Sequence, residues 1–291
     1  MSKRKFILNA DDFGMSSAYN KAVLEGYPSG LLKSASLVAN GEAFDSAINK
    51  VIPACENLGV GVHLNIIEGK SLLNNLNELC DENDNFNNSY VQLLLKSYNR
   101  KNSSFLEQIE KEFRAQIEKI INQIPVTHID SHVHVHSIPP IFEIVCKLAK
   151  EYGINQVRTQ YEKPYVVPDF QRHINLKYPI NLVKVALLNA FTLINKKVVK
   201  KYGLSTNDYL IGVTYTSMMD SLTISYGLGA NKYEKAVVEA LIHPCRYDDG
   251  TIDNHFTEYQ ITKNQKLKTK IEEMEFEITN YRNQITESYE Q

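Results

Sequence analysis

Ionisable side chains follow several short apolar segments of this 291-residue chain. Asp11 and Asp12 come directly after "FILNA", His63 ends "GVGVH", and Asp130 begins "DSHVHVH". The three histidines of that last segment are His132, His134 and His136. Carboxylates and neutral imidazoles are common ligands of divalent metals in hydrolases. These residue types therefore indicate metal-assisted chemistry.

Alternation in "IDSHVHVH" predicts a strand that directs Asp130, His132, His134 and His136 to one face. Three histidines on one face suit a metal site better than a structural role. Two histidines with one carboxylate also leave coordination positions open for water and substrate. We therefore predict a triad of Asp12, His63 and one histidine of this segment.

Each ionisable group also has an ordinary structural interpretation. The Asp11–Asp12 pair could cap a helix, His63 could be a hydrogen-bonded core histidine, and His243 before Pro244 could be a turn residue. However, the carboxyl ends of parallel strands converge at one edge of a sheet or barrel. Ionisable groups at several strand ends therefore favour a shared site.

The hydrophobic periods predict alternating strands and helices. Short apolar segments such as "KFILNA", "SASLVAN" and "LGVGVHLNI" predict buried strands, and "SSFLEQIEKEFRAQIEKIINQI" predicts a helix. Its apolar stripe consists of Phe105, Ile109, Phe113, Ile117 and Ile120 or Ile121. This alternation predicts an α/β fold with a mostly parallel sheet, either doubly wound or closed into a barrel.

Length and pattern predict one domain over residues 1–291. Within it, the asparagine-rich residues 72–88 are predicted to be an inserted loop, and residues 262–287 a polar C-terminal helix. The apolar residues 179–194 include Lys184 and are too short to span a membrane. They are interpreted as a buried helix, with a helix on a membrane surface as the alternative.

Composition excludes several classes of function. The 32 basic and 34 acidic residues give a net charge of −2, so no overall field favours nucleic acid or an anionic membrane. The apolar segment after "MSKRK" is too short for a signal peptide, which predicts a cytoplasmic protein. The four cysteines lack CxxC spacing and are predicted to be free thiols.

Five motifs in order resemble the YdjC-like carbohydrate deacetylases, a family that includes chitooligosaccharide and hopanoid-associated deacetylases. They are "NADDFG", "GVHLN", "THIDSHVHVH", "VR" and "HP". The resemblance implies an irregular, TIM-barrel-like (β/α) fold and hydrolysis of an N-acetyl group from an acetylated sugar. It also implies a divalent metal held by Asp12, His63 and His132. The family implies Mg²⁺, whereas two histidine ligands favour Zn²⁺ or another transition metal.

By the same resemblance, Asp11 matches a general base, His243 a candidate acid, and Arg158 an arginine that lines the substrate site. Two positions depart from the family pattern. Cys245 follows the late His-Pro, where a small residue is usual, and His255 stands near the position of a typical arginine. These departures concern substrate contacts more than the metal.

The implied partner is an acetylated sugar or oligosaccharide, including a lipid-linked one, and the implied assembly is a homodimer. Segment 176–226 is more similar to the hopanoid-associated branch. Two other functions remain open: a metal-dependent phosphoesterase or other amidohydrolase, which would need further ligands, and a non-catalytic carbohydrate-binding protein. The 17 tyrosines and 11 phenylalanines could supply stacking surfaces for the latter.

Overall fold

A parallel sheet forms the centre of the protein, whose computed structural model describes residues 4–99, 103–231 and 236–284. Its strand order is β4-β3-β2-β1-β6-β5, and β7 also pairs with β1. The strands are β1 (Arg4–Phe13), β2 (Ser34–Leu37), β3 (Gly59–Leu64), β4 (Ile129–Ser131), β5 (Tyr209–Ile211), β6 (Val237–Ile242) and β7 (Phe276–Ile278). All these pairs are parallel, which confirms the α/β prediction.

Strand β1 is the longest and is buried along all but its first residue, as its apolar sequence predicts. Residues Lys5–Ala10 pair with β6 along one edge. The other edge is shared, because β7 pairs with Arg4–Phe6 and β2 pairs from Asn9 onward. The chain therefore brings its first and last described strands together at the centre of the sheet.

Beyond β4, the sheet continues through irregular segments. Single parallel bridges join Ile129 to Val157 and Gln156 to Ser205, and the amide of Leu210 in β5 donates to the Tyr161 carbonyl at 2.8 Å. These links lead from one edge strand back toward the other. The sheet is thus a parallel half-barrel with irregular closure, as the TIM-barrel-like prediction expects.

Helices connect the strands and cover the outside of the half-barrel. They are α1 (Ser17–Gly26), α2 (Phe44–Ser46), α3 (Ile52–Ala54), α4 (Tyr90–Ser97), α5 (Ser103–Ile121), α6 (Pro139–Glu151), α7 (Phe170–His173), α8 (Tyr178–Tyr202), α9 (Ser221–Ala230), α10 (Asn254–Thr262) and α11 (Gln265–Glu273). A π-helical segment, Ala47–Val51, joins α2 to α3. The predicted apolar stripe of α5 is buried.

The loop over residues 72–88 has no helix or regular strand, and it packs closely on α5. The Glu112 carboxylate accepts hydrogen bonds from the amides of Leu72 and Leu73 at 3.0 and 3.1 Å. Leu79 is fully buried within the loop. The loop is therefore anchored to the body of the protein by a buried carboxylate and apolar contacts.

The prediction of one C-terminal helix over residues 262–287 is wrong over its described part. The chain forms the end of α10, then α11, and then strand β7. Asn264 breaks the helix by capping α11, since its side chain accepts from the Leu267 amide, and Glu275 has a left-handed φ of 62°. Phe276 and Ile278 then alternate with an exposed residue and pair with β1. Residues 285–287 lie outside the described residues.

The prediction that residues 179–194 form a buried helix is correct for only one side of α8. Asn181, Val185 and Leu188 are buried against the body, while Val183 is 71% exposed. Within the described ranges, no helix combines the length and hydropathy needed to cross a membrane.

Close packing between β3 and His128, which directly precedes the neighbouring strand β4, requires a glycine at position 61. A Cβ there would lie 2.4–2.7 Å from ring atoms of His128, which stacks on Tyr281 with ring centroids 4.2 Å apart. We expect Gly61→Ala to destabilise the protein by about 1–3 kcal/mol through overpacking. Urea unfolding would measure this loss, with Gly229→Ala as control because open space surrounds Gly229. Equal stability of the two variants would contradict the packing argument.

Candidate active site

Asp12, His63 and His132 meet at the carboxyl ends of β1, β3 and β4. The Oδ1 atom of Asp12 lies 2.8 Å from Nδ1 of His132 and 3.2 Å from Nε2 of His63. Their candidate ligand atoms all lie within 4.8 Å of one another. The structure thus brings together the three residues predicted to bind a metal.

A bulge in β1 places Asp11 and Asp12 at the same site. On a regular strand, adjacent side chains point to opposite faces. Here the register with β2 passes from Ala10–Ala35 to Phe13–Leu37, which inserts one extra residue into β1. Asp12 has a left-handed φ of 61°, a conformation that aspartate tolerates better than most residues. The bulge therefore turns the Asp12 carboxylate toward the two histidines.

The prediction that the histidines of "DSHVHVH" share one strand face is wrong. Strand β4 ends at Ser131, and His132–Ser137 form a tight 3₁₀ segment in which Val133 and His134 have left-handed φ values of 51° and 59°. Successive side chains consequently point in different directions. His136 is fully buried, with Nε2 3.1 Å from the Arg158 carbonyl oxygen. Neither His134 nor His136 belongs to the ligand cluster, so only His132 joins the triad.

Asp130 fixes the orientation of His63. Its Oδ1 lies 2.7 Å from Nδ1 of His63, which leaves Nε2 directed toward Asp12. Carboxylates in this second position commonly orient metal-binding histidines. Asp130 was part of the sequence pattern, but its supporting role depends on the pairing of Asp130 with His63 between β3 and β4.

The charge around the triad favours a cation. Burial lowers the pKa of His63, but Asp130 and Asp12 outweigh this effect and raise the pKa to about 10. Burial raises the pKa of Asp12, but His132 and His63 hold that pKa well below its ordinary value. A site that draws protons onto its imidazoles suits a dication, which replaces those protons when it binds. The donor set therefore fits a divalent metal.

Arg158 lies beneath the triad and joins three buried carboxylates. Its Nη1 and Nη2 atoms donate to the two oxygens of Asp11 at 2.7 Å each. Nη2 also lies 2.7 Å from Oδ2 of Asp130, and Nε donates to Glu239 at 2.9 Å. The Arg158 side chain has no exposed surface. These contacts fix Asp11 and Asp130 relative to each other.

Three further polar groups complete this network. Ser36 donates to Oδ2 of Asp130 at 2.6 Å, Asn9 donates to Oδ1 of Asp11 at 2.7 Å, and the Tyr281 hydroxyl donates to Glu239. Burial raises the pKa of Glu239 to about 6 despite the opposing effect of Arg158. Sequence analysis missed Glu239, although an acid within the apolar strand "VVEALI" is itself a signal of a buried ionic partner.

His243 lies at the end of β6 and is partly exposed. The Glu258 carboxylate accepts from the backbone amide of His243 and lies 3.5 Å from its Nδ1. Burial lowers the pKa of His243, but Glu258 and the charge of Asp12 raise it to about 9. His255 directs Nδ1 to the His243 carbonyl at 2.8 Å, so this departure from the family pattern supports the His243 loop.

The buried Arg158 network generates a prediction about stability. Arg158→Met should destabilise the protein by about 3–5 kcal/mol, because it leaves buried carboxylates without a cationic partner. Chemical unfolding at neutral pH would measure the effect. Arg114→Met is the control, since Arg114 pairs with Glu151 at the surface and its loss should leave the midpoint nearly unchanged. Similar midpoints for the two variants would show that the buried network is unimportant to folding.

Sequence comparisons identify similar proteins. The chain is 42% identical over 153 residues to a carbohydrate deacetylase of Clostridium beijerinckii, a match that covers 52% of this chain and 58% of that protein. It is 29% identical over 286 residues to carbohydrate deacetylase 1 of Listeria innocua, covering 96% of this chain and 99% of that protein. The first match covers about half of each chain, and the second extends along nearly all of both.

Comparison with solved structures supports the same fold. A crystal structure of an Enterococcus faecalis V583 protein superposes with a TM-score of 0.73 at 23% identity, covering 97% of this chain and 99% of that one. The model of the family described as YdjC-like protein matches residues 5–280, a range that includes the triad, Asp11, Arg158 and His243. The chain therefore belongs to the YdjC-like protein family.

Proposed function

We propose that this protein is a metal-dependent hydrolase that removes the N-acetyl group from an acetylated carbohydrate. The observation that carries the proposal is the convergence of Asp12, His63 and His132 beside the fixed carboxylate of Asp11. The names of the relatives, carbohydrate deacetylases, supply the reaction and the class of substrate.

Asp12, His63 and His132 would hold the metal. When bound, a divalent cation supplies Lewis-acid chemistry, polarising the acetyl carbonyl and making water a better nucleophile. The family resemblance favours Mg²⁺, whereas two imidazole ligands favour Zn²⁺, Co²⁺ or Mn²⁺. Asp130 contributes by holding His63 in one orientation.

Asp11 is proposed as the general base and His243 as the general acid. Arg158 and Asn9 hold the Asp11 carboxylate in place. The Asp11 side chain therefore loses little conformational entropy when substrate binds. His243 carries a proton at neutral pH because its pKa is raised to about 9, and it could protonate the departing amine. We propose that Arg158 acts through Asp11, since its buried guanidinium is engaged by carboxylates.

The substrate is proposed to be an acetylated sugar or oligosaccharide. A cleft of about 180 Å³ lies between the α7–α8 connection, residues 217–219 and α10, and Asn254 and Thr257 line its α10 side. Its polar lining suits a ligand rich in hydroxyl groups. A lipid attached to the sugar, the homodimer and the cytoplasmic location stay predictions.

The alternative of a two-metal phosphoesterase has less support. A second cluster of Asp11, His63 and Asp130 has candidate ligand atoms within 4.8 Å of one another. However, Nη2 of Arg158 lies 2.7 Å from both Asp11 and Asp130. A guanidinium bound to those carboxylates competes with a second cation for the same oxygens. One metal at the triad is the arrangement that these contacts favour.

Neutralising Asp11 and neutralising Asp12 are expected to have different effects on metal binding and activity. Asp12→Asn should lose the metal and activity together, whereas Asp11→Asn should retain the metal and lose at least about 100-fold in kcat, because a general base is removed. Metal content by atomic emission and acetate release from N-acetylated mono-, oligo- and lipid-linked sugars would separate these outcomes. His134→Ala is the control for a histidine outside the triad.

Full activity of Asp11→Asn, or metal retention by Asp12→Asn, would contradict the assigned division of roles. Turnover of aryl phosphates without acetate release from any acetylated sugar would favour the phosphoesterase. Sugar binding without turnover under every metal tested would favour the carbohydrate-binding protein.

The proposed acid gives a prediction for pH dependence. His243 can act as the acid only while it is protonated, that is, below its pKa. Activity should therefore fall as pH rises through about 9. Because Glu258 raises this pKa, Glu258→Gln should lower it and move the alkaline limb of the kcat/KM profile to lower pH. An alkaline limb at the same pH in both proteins would show that His243 is not the acid.

A further inference from the structure

The outer side of α8 is apolar where a surface helix is normally polar. From residue 179 to residue 194, every exposed position of the helix carries an apolar side chain. The large ones, which we call the α8 apolar face, are Ile180, Leu182, Val183, Leu187, Leu193 and Ile194. Exposed apolar surfaces of this extent commonly mark interaction sites.

This exposure follows from the helical period. Each residue turns the helix by about 100°, so Asn181, Val185, Leu188 and Thr192 occupy one half of the circumference, and these are buried. The apolar face occupies the other half. The usual amphipathic pattern is therefore lost over about four turns, because the outward half of the helix is apolar.

Ionisable charge along this segment of the sequence is basic. Residues 170–207 contain seven basic side chains and no aspartate or glutamate, although the whole chain has a net charge of −2. They are Arg172, Lys177, Lys184, Lys196, Lys197, Lys200 and Lys201. Lys196, Lys197 and Lys200 are exposed and continue the outer side of α8 beyond Ile194. Basic groups thus lie next to the apolar face at the end of the helix.

We propose that the α8 apolar face docks on an anionic lipid surface. Apolar side chains enter the boundary between headgroups and acyl chains, while nearby lysines bind anionic headgroups. A second copy of the chain fits less well. A symmetric dimer interface pairs a surface with itself, and residues 170–207 contain no acid that could pair with the lysines of the other copy.

Docking would bring the lipid surface close to the candidate active site. The Asn195 side chain donates to the Ser137 carbonyl at 2.7 Å, and the backbone amide of Gln160 donates to the Thr192 hydroxyl at 3.2 Å. Helix α8 therefore packs on the segment that carries His132. A membrane bound to its outer side would lie about one helix diameter, roughly 10 Å, from that segment.

Co-sedimentation of the full chain with vesicles tests this proposal independently of enzymatic activity. Vesicles of phosphatidylcholine with roughly one third phosphatidylglycerol should bind the protein at least about tenfold more tightly than phosphatidylcholine alone, and added salt should weaken binding. Two triple variants, Lys196→Gln/Lys197→Gln/Lys200→Gln and Val183→Gln/Leu187→Gln/Leu193→Gln, should each lower binding at least about tenfold.

Matched controls use exposed residues elsewhere. Lys50→Gln/Lys111→Gln/Lys266→Gln makes the same charge change away from α8, and Val91→Gln/Leu95→Gln removes exposed apolar surface from α4. Both should bind vesicles like the unaltered chain. Absence of vesicle binding by the unaltered chain, or equal losses in the controls, would overturn the proposal. So would a stable dimer that the Val183/Leu187/Leu193 variant converts to monomer without any vesicle binding.

Discussion

The buried guanidinium of Arg158 is the interaction on which the site depends. Three strands direct a carboxylate toward it: β1 through Asp11, β4 through Asp130 and β6 through Glu239. Without a cation among them, three acids packed this closely would repel one another and take up protons. With Arg158 in place, Asp130 is free to hold His63 and Asp11 stays fixed beside Asp12. The candidate metal triad thus lies on an ionic layer formed by Arg158 and its carboxylates.

Sequence analysis could predict most of the strands, the longer helices and the members of the triad. Apolar periodicity identified the buried strands, and the ordered motifs resembled a known family. The geometry around the site was harder to predict from the sequence. Asp12, Val133 and His134 take left-handed conformations that tertiary contacts impose, and alternation of residue types alone predicts a regular strand instead. The contact between Asp130 and His63 likewise depends on sheet register, which composition does not specify.

Other differences have similar physical causes. The polar C-terminal segment has helical spacing, but Asn264 caps a new helix and Phe276 and Ile278 gain more by pairing with β1 than by extending α11. Net charge was also an incomplete guide. A value of −2 for the chain conceals residues 170–207, where basic side chains accumulate without acids. Local charge, combined with exposure in the folded protein, supports an interaction that the average excluded.

Anomalous diffraction from crystals grown with Mn²⁺ would test the central claim most directly. One peak should lie within about 2.0–2.3 Å of donor atoms from Asp12, His63 and His132, with Arg158 still bound to Asp11 and Asp130. That result would place the metal above an intact ionic layer. A peak between Asp11 and Asp130 with Arg158 displaced, or no peak near Asp12, would contradict the account.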